Sequence, residues 1–141
     1  MLSWLRKSLG MTPATDPVAL TNVGHGGFNF EVVGEQSYQS HLRKLSGGRV
    51  ERGERVVVGC RLRYEINAHT HGPAVRVDVN GVGKVAYFPA EQAAIYASAF
   101  YELERGGHVA ECQGVLVGGQ PDKPSFGIYL DFKPKLLSLQ D

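Results

Sequence analysis

The run "ERVVVGCRLRY", Glu54 to Tyr64, constrains the fold more than any other stretch. Val56, Val58, Cys60, Leu62 and Tyr64 fall on every second position, and Arg55, Arg61 and Arg63 fall between them. A helix would scatter that set around its circumference. A strand gathers the apolar residues on one face and the cations on the other. The chain therefore carries a long strand with one side in a core and one side in water. "AVRVDV" repeats the pattern, with Val75, Val77 and Val79 inward and Arg76 and Asp78 outward. Asn80-Gly81 follows directly, a strong hairpin signal, and "GKVAYF" is the return strand.

The remaining elements are shorter. "FNFEVVG" alternates Phe28, Phe30 and Val32 with Asn29, Glu31 and Val33, which predicts a first strand. In "SYQSHLRKLSGG", Ser37 can cap a helix, Tyr38, Leu42 and Leu45 share a helical face, and Gly47-Gly48 stops it. Pro89 opens a second helix, in which Ala93, Tyr96, Ala97, Phe100 and Leu103 recur at helical spacing until Gly106-Gly107. "HVAECQGVLVGG" reads as a strand in which Gly114 marks a bend or bulge, and Gly118-Gly119 reads as turn chemistry like the other glycine pairs. "FGIYLDF" closes the set with Phe126, Ile128, Leu130 and Phe132 inward.

The predicted order is β-α-β-β-β-α-β-β, an all-β chain with two short helices. Closely spaced strands pair antiparallel, and two helices cannot cover both faces of a parallel sheet. A small six-stranded barrel, closed or partly open, hides its edges and suits this count. The domain is expected over residues 28–132, after an amphipathic segment and linker at 1–27 and before a tail at 133–141.

Composition limits the functions open to such a chain. It has 141 residues, a net charge of +1 and two distant cysteines, Cys60 and Cys112, both in predicted strands. One domain is expected, the cysteines read as buried free thiols, and a cytoplasmic setting follows. No apolar run is long enough to span a membrane. "MLSWLRKSLGM" places Leu2, Leu5 and Leu9 on one side without the features of a signal peptide. It reads either as a helix that docks on the domain or a partner protein, or as a frayed end.

Catalytic patterns are absent from the reading. No nucleophile elbow, phosphate-binding glycine loop or paired carboxylates stand out. His69 and His71 would point to opposite sides of an extended segment, and no histidine or cysteine has zinc-site spacing, so no metal or cofactor is expected. Charge distribution says more. From His41 to Arg63 there are seven Arg or Lys and two Glu, a local +5. Arg61 and Arg63 share an outer face, with Arg76 on the neighbouring strand. Cations with tyrosines nearby suit single-stranded nucleic acid, where phosphates follow the cations and bases stack on the rings. Charge alone favours a solvated face with salt bridges to Glu51, Glu54 and Asp78.

Several motifs in order resemble one family. "FEVVGEQSYQ", then "YEINAHTHGPAVRVDVNGVGKVAYFPAEQAAIYASAF", then "VGG" and "FGIYLD", are similar to the HIRAN domain over residues 28–132. That resemblance implies an OB-like or SH3-like barrel with two helices, and binding to the 3′ end of single-stranded DNA. By position it implies a terminal pocket framed by Gln36, Ser37 and Tyr38, by Thr70 and His71, by Tyr87, and by Phe126. Thr70 and His71 stand where the family has a Tyr-Asp pair. Thr70 offers no ring for stacking. His71 accepts a hydrogen bond when neutral and favours phosphate when protonated. Convergence of Arg61, Arg63, Arg76, Tyr38 and Tyr87 on one groove would favour nucleic acid. Their dispersal would favour a protein-interaction module on a degenerate barrel.

Overall fold

The computed structural model describes residues 19–45, 55–67 and 72–138. Within them, seven strands form one mostly antiparallel sheet: β1 (Ala19–Asn22), β2 (Phe30–Glu31), β3 (Val56–Asn67), β4 (Gly72–Val79), β5 (Gly83–Tyr87), β6 (His108–Gln120) and β7 (Lys123–Leu130). The helices are α1 (Gln39–Leu45), α2 (Ala90–Arg105) and α3 (Lys135–Ser138), and a 3-10 helix over Glu35–Tyr38 leads into α1. The order across the sheet is β2-β7-β6-β3-β4-β5, and β1 pairs parallel with the start of β6. None of these helices is long and apolar enough to cross a membrane.

The long strand behaves as its alternation dictates. Cys60 and Leu62 are buried, as are Val75, Val77 and Val79 on β4. Cys60 stands opposite Cys112 of β6 in the ladder, and both thiols are free. Burial, helped by the charge of Asp131, pushes the Cys60 thiol up to about 12. Inside the sheet, Phe88, Phe100 and Phe132 pack with ring centroids 5.2–5.8 Å apart, and Phe30 and Tyr96 join them. Ala93, Ala97, Phe100 and Leu103 form the buried face of α2. Small alanines let the helix lie close to the sheet, and the two larger residues fill the core.

Several expectations change. The segment read as linker contains β1, and its neighbour Val23 is fully buried. The tail contains α3, with Leu137 in the core. The first strand shrinks to two residues, because Phe28 has φ 50, outside the β region. Ser37 caps nothing: it lies inside the 3-10 helix, whose N-cap is Gly34 at φ 85. Gly114 is regular in the ladder, paired with Val58 and Leu130. A side chain there would come within 2.8 Å of Ile128, so it serves close packing rather than a bulge. The irregularity falls at Gly118-Gly119, inside β6, where both φ angles are positive and the register with β7 shifts. A Cβ on Gly118 would sit 1.9 Å from the Ser125 carbonyl oxygen.

The ladder does not run continuously from β5 to β2, so it stops short of a closed barrel. An isolated bridge spans that gap. Val33 donates to the Tyr87 carbonyl at 2.8 Å, and Tyr87 donates to the Val33 carbonyl at 2.9 Å. The Asn80-Gly81 hairpin is present, closed by the Val82 amide on the Val79 carbonyl at 3.0 Å, with Gly81 at φ 81.

Candidate functional site

A bulge at the end of the hairpin builds the site. β4 pairs Val77 with Ala86 and then Asp78 with Lys84, so Val85 is an extra residue on β5. In a regular strand Lys84 and Tyr87, three positions apart, would face opposite ways. The extra residue flips the parity. Lys84 lies opposite Asp78 and Tyr87 opposite Arg76, all on the outer face. Val85 and Ala86 are both buried as a result.

The side chains on this face form one polar network. Lys84 Nζ donates to the Tyr87 hydroxyl at 2.7 Å, and that hydroxyl donates to Glu65 Oε2 at 2.5 Å. Arg76 donates to Glu65 Oε1 at 3.2 Å and to Asp78 Oδ2 at 3.0 Å. From the other side, the 3-10 helix brings Tyr38, whose ring centroid lies 5.9 Å from Lys84 Nζ; the Tyr87 ring is 5.1 Å away. His41 on α1 bonds the Lys84 carbonyl through Nδ1 at 2.7 Å. A carbonyl only accepts, so the proton is on Nδ1.

The charges tune each other. Burial works against the Glu65 carboxylate. The Tyr87 hydrogen bond and the Lys84 and Arg76 charges outweigh it, holding its pKa below the ordinary value. The hydrogen bond to Tyr87 raises Lys84, and the Glu65 charge adds to it. Burial and the neighbouring Glu65 raise the Tyr87 phenol. The phenol thus stays protonated, which suits a donor rather than a nucleophile.

Of the residues expected at the site, Tyr38, Tyr87 and Arg76 come together here. Gln36 and Ser37 precede Tyr38 on the 3-10 helix, both exposed, and Gln36 lines a different cavity from that network. Arg63 stands directly opposite Arg76 in the ladder, an unfavourable pairing of like charges. It turns instead to Glu104 of α2, with Nη2 3.4 Å from Oε1. The Nε atoms of Arg63 and Arg76 lie 3.3 and 2.9 Å from carboxylate oxygens of Glu104 and Asp78 without hydrogen-bond alignment. Arg61 sits in register between Asp78 on β4 and Glu111 on β6. The outer-face cations are thus interleaved with carboxylates rather than forming a stripe of one sign. The expected salt bridge to Asp78 is present, made by Arg76; Glu51 and Glu54 lie outside the described residues.

Phe126 does not join this network; it lines another cavity together with Gln36. It is 2 % exposed, and α1 holds its backbone: Gln39 Nε2 donates to the Phe126 carbonyl and the Phe126 amide to Gln39 Oε1, both at 2.8 Å. Inward alternation from Phe126 to Leu130 accounts for this, since each faces the core. Thr70, His71 and the N-terminal segment lie outside the described residues. Among the described residues, no group of three or more His, Cys, Asp or Glu is placed to hold a metal ion.

Glu65, Lys84 and His41 were missed in the sequence. Glu65 carried a signal, since it continues the outward positions of Arg61 and Arg63. Lys84 carried none, because its face depends on the bulge.

The fold and site define a small, mostly antiparallel β protein with a tyrosine-, lysine- and carboxylate-lined outer face. Comparison with protein-family models, curated proteins and solved structures returns no match.

Proposed function

We propose that this chain is a binding module for single-stranded nucleic acid, DNA ends above all, and not an enzyme. The observation that carries the reading is the meeting of Tyr38 and Tyr87 at one lysine, with Nζ 5.9 and 5.1 Å from their ring centroids. These are two of the residues that the HIRAN resemblance places at a terminal-nucleotide pocket. Bases stack on aromatic faces, and cations beside them follow phosphates. The same reading takes the sheet as a small OB-like barrel, open between β5 and β2. The paired hydrogen bonds of Val33 and Tyr87 support it. A cytoplasmic setting fits the two free buried thiols.

One observation favours a second reading, a protein-interaction module. Arg63 and Arg76 are already paired with Glu104, Glu65 and Asp78, so the face offers little net positive charge.

A titration of labelled single strands with free and phosphorylated 3′ ends separates the two. For nucleic-acid binding, Tyr38→Ala should weaken affinity by the loss of one stacked base, about 1–3 kcal/mol. Arg61→Ala should flatten the salt dependence by a bit under one unit of slope. No measurable binding by the wild type at low salt selects the protein-interaction reading.

A further inference from the structure

Three donors converge on one carboxylate in the outer-face network. Arg76 Nη1 donates to Glu65 Oε1 at 3.2 Å, the Tyr87 hydroxyl donates to Oε2 at 2.5 Å, and Lys84 Nζ lies 3.7 Å from Oε1. A guanidinium, an ammonium and a hydroxyl around one set of oxygens is a donor set suited to phosphate. The strand pairing does not call for an acid here. Glu65 stands opposite Ala74 on β4, past the last β3–β6 pair at Leu62.

The donors are held in place without Glu65. The Tyr87 backbone is fixed by both hydrogen bonds to Val33, and Lys84 by the His41 bond to its carbonyl. Arg76 keeps its 3.0 Å bond to Asp78. Removing the Glu65 side chain would therefore leave a preformed cluster of donors with one positive charge uncompensated. The cluster is neutral as it stands, two cations against Glu65 and Asp78, so an approaching anion meets no net attraction.

We propose that Glu65 is an internal stand-in for a phosphate group. Arg76, Lys84 and Tyr87 form an anion cradle occupied by the protein's own carboxylate, and a phosphate of the ligand displaces it. That the phosphate belongs to a nucleic acid rests on the function proposed above; the cradle itself does not. Glu65 then sets specificity, because only an anion that makes contacts beyond the cradle overcomes the resident carboxylate.

The experiment uses the full chain as wild type, Glu65→Gln, and Glu65→Gln combined with Lys84→Met. Each is titrated calorimetrically with inorganic phosphate and with a single strand ending in a 3′ phosphate or a 3′ hydroxyl. Glutamine keeps the size of the side chain, and its amide oxygen still accepts from Tyr87. Loss of the competing charge should tighten phosphate binding about tenfold over wild type, and Lys84→Met should abolish the gain. Phosphate affinity in Glu65→Gln equal to or weaker than wild type overturns the inference, and wild-type strand binding then leaves the single-strand reading intact. A gain for phosphate with no strand binding by any variant keeps the cradle and sinks the single-strand reading. Should Glu65→Gln fail to fold by circular dichroism, Glu65→Asp decides. Its shorter arm withdraws the carboxylate, so a smaller gain is expected and none overturns the inference.

Discussion

Glu65 is the residue on which the outer face turns. It accepts from an arginine and a tyrosine while a lysine stands near, and each of these stabilises its charged form. The folded protein therefore holds its pKa below the ordinary value of 4.5. A carboxyl lowered on folding contributes stability above its unfolded pKa and loses it as pH falls through the folded one. Lys84 runs the other way: raised on folding, it contributes below its ordinary 10.5 and loses that contribution as pH rises beyond it. Urea denaturation of wild type and Glu65→Gln at neutral pH and again below the carboxylate range checks the first half. The wild type should hold a stability advantage at neutral pH that disappears in acid. An equal difference at both pH values would mean that the charge of Glu65 does not stabilise the fold.

At the scale of elements, short contacts fix how helices and strands meet. Gln39 is an example that no periodicity announces. Its side-chain amide makes two hydrogen bonds to the backbone of Phe126, in the manner of a neighbouring strand, and ties α1 to β7. Gln39→Ala would leave a partly buried amide and carbonyl without partners, and should cost about 1–3 kcal/mol in chemical denaturation. Because α1 and the 3-10 helix carry His41 and Tyr38, the same variant should also weaken any ligand that depends on Tyr38. A loss of stability below about 0.5 kcal/mol would show that water replaces the amide without penalty. The β5 bulge is the second such device. One extra residue, Val85, turns a strand with mixed faces into one that presents Lys84 and Tyr87 together.

For the whole molecule, the aromatic cluster around Phe132 joins elements distant in sequence: Phe30 on β2, Phe88 after β5, Tyr96 and Phe100 on α2. Phe132 is 2 % exposed, and its residue bridges to Gly24 near β1. Phe132→Ala should cost about 3–5 kcal/mol, read from the denaturation midpoint, since the cavity borders several elements at once. A cost near 1 kcal/mol would mean that the core collapses into the gap. The same cluster explains why the fold reaches beyond the expected domain. β1 and α3 cover the core at Val23 and Leu137, residues whose neighbours carry no strong periodic signal.

The sequence by itself determined the strands with clean alternation. β3, β4, β7 and the Asn80-Gly81 hairpin follow from period-two burial and turn chemistry, both local properties. It also determined α2, where alanine-rich helical spacing lies between Pro89 and Gly106, and it placed Tyr38, Arg76 and Tyr87 among the candidate residues. Tertiary structure alone decided the rest. β1 is a strand because β6 offers it an edge, not because "ALTN" alternates strongly. Arg63 left the basic face because Glu104, on a helix distant in sequence, neutralised it. Lys84 entered the site because a bulge reversed its parity. Each of these outcomes depends on a partner from another element, and a pattern read along one strand contains no information about that partner.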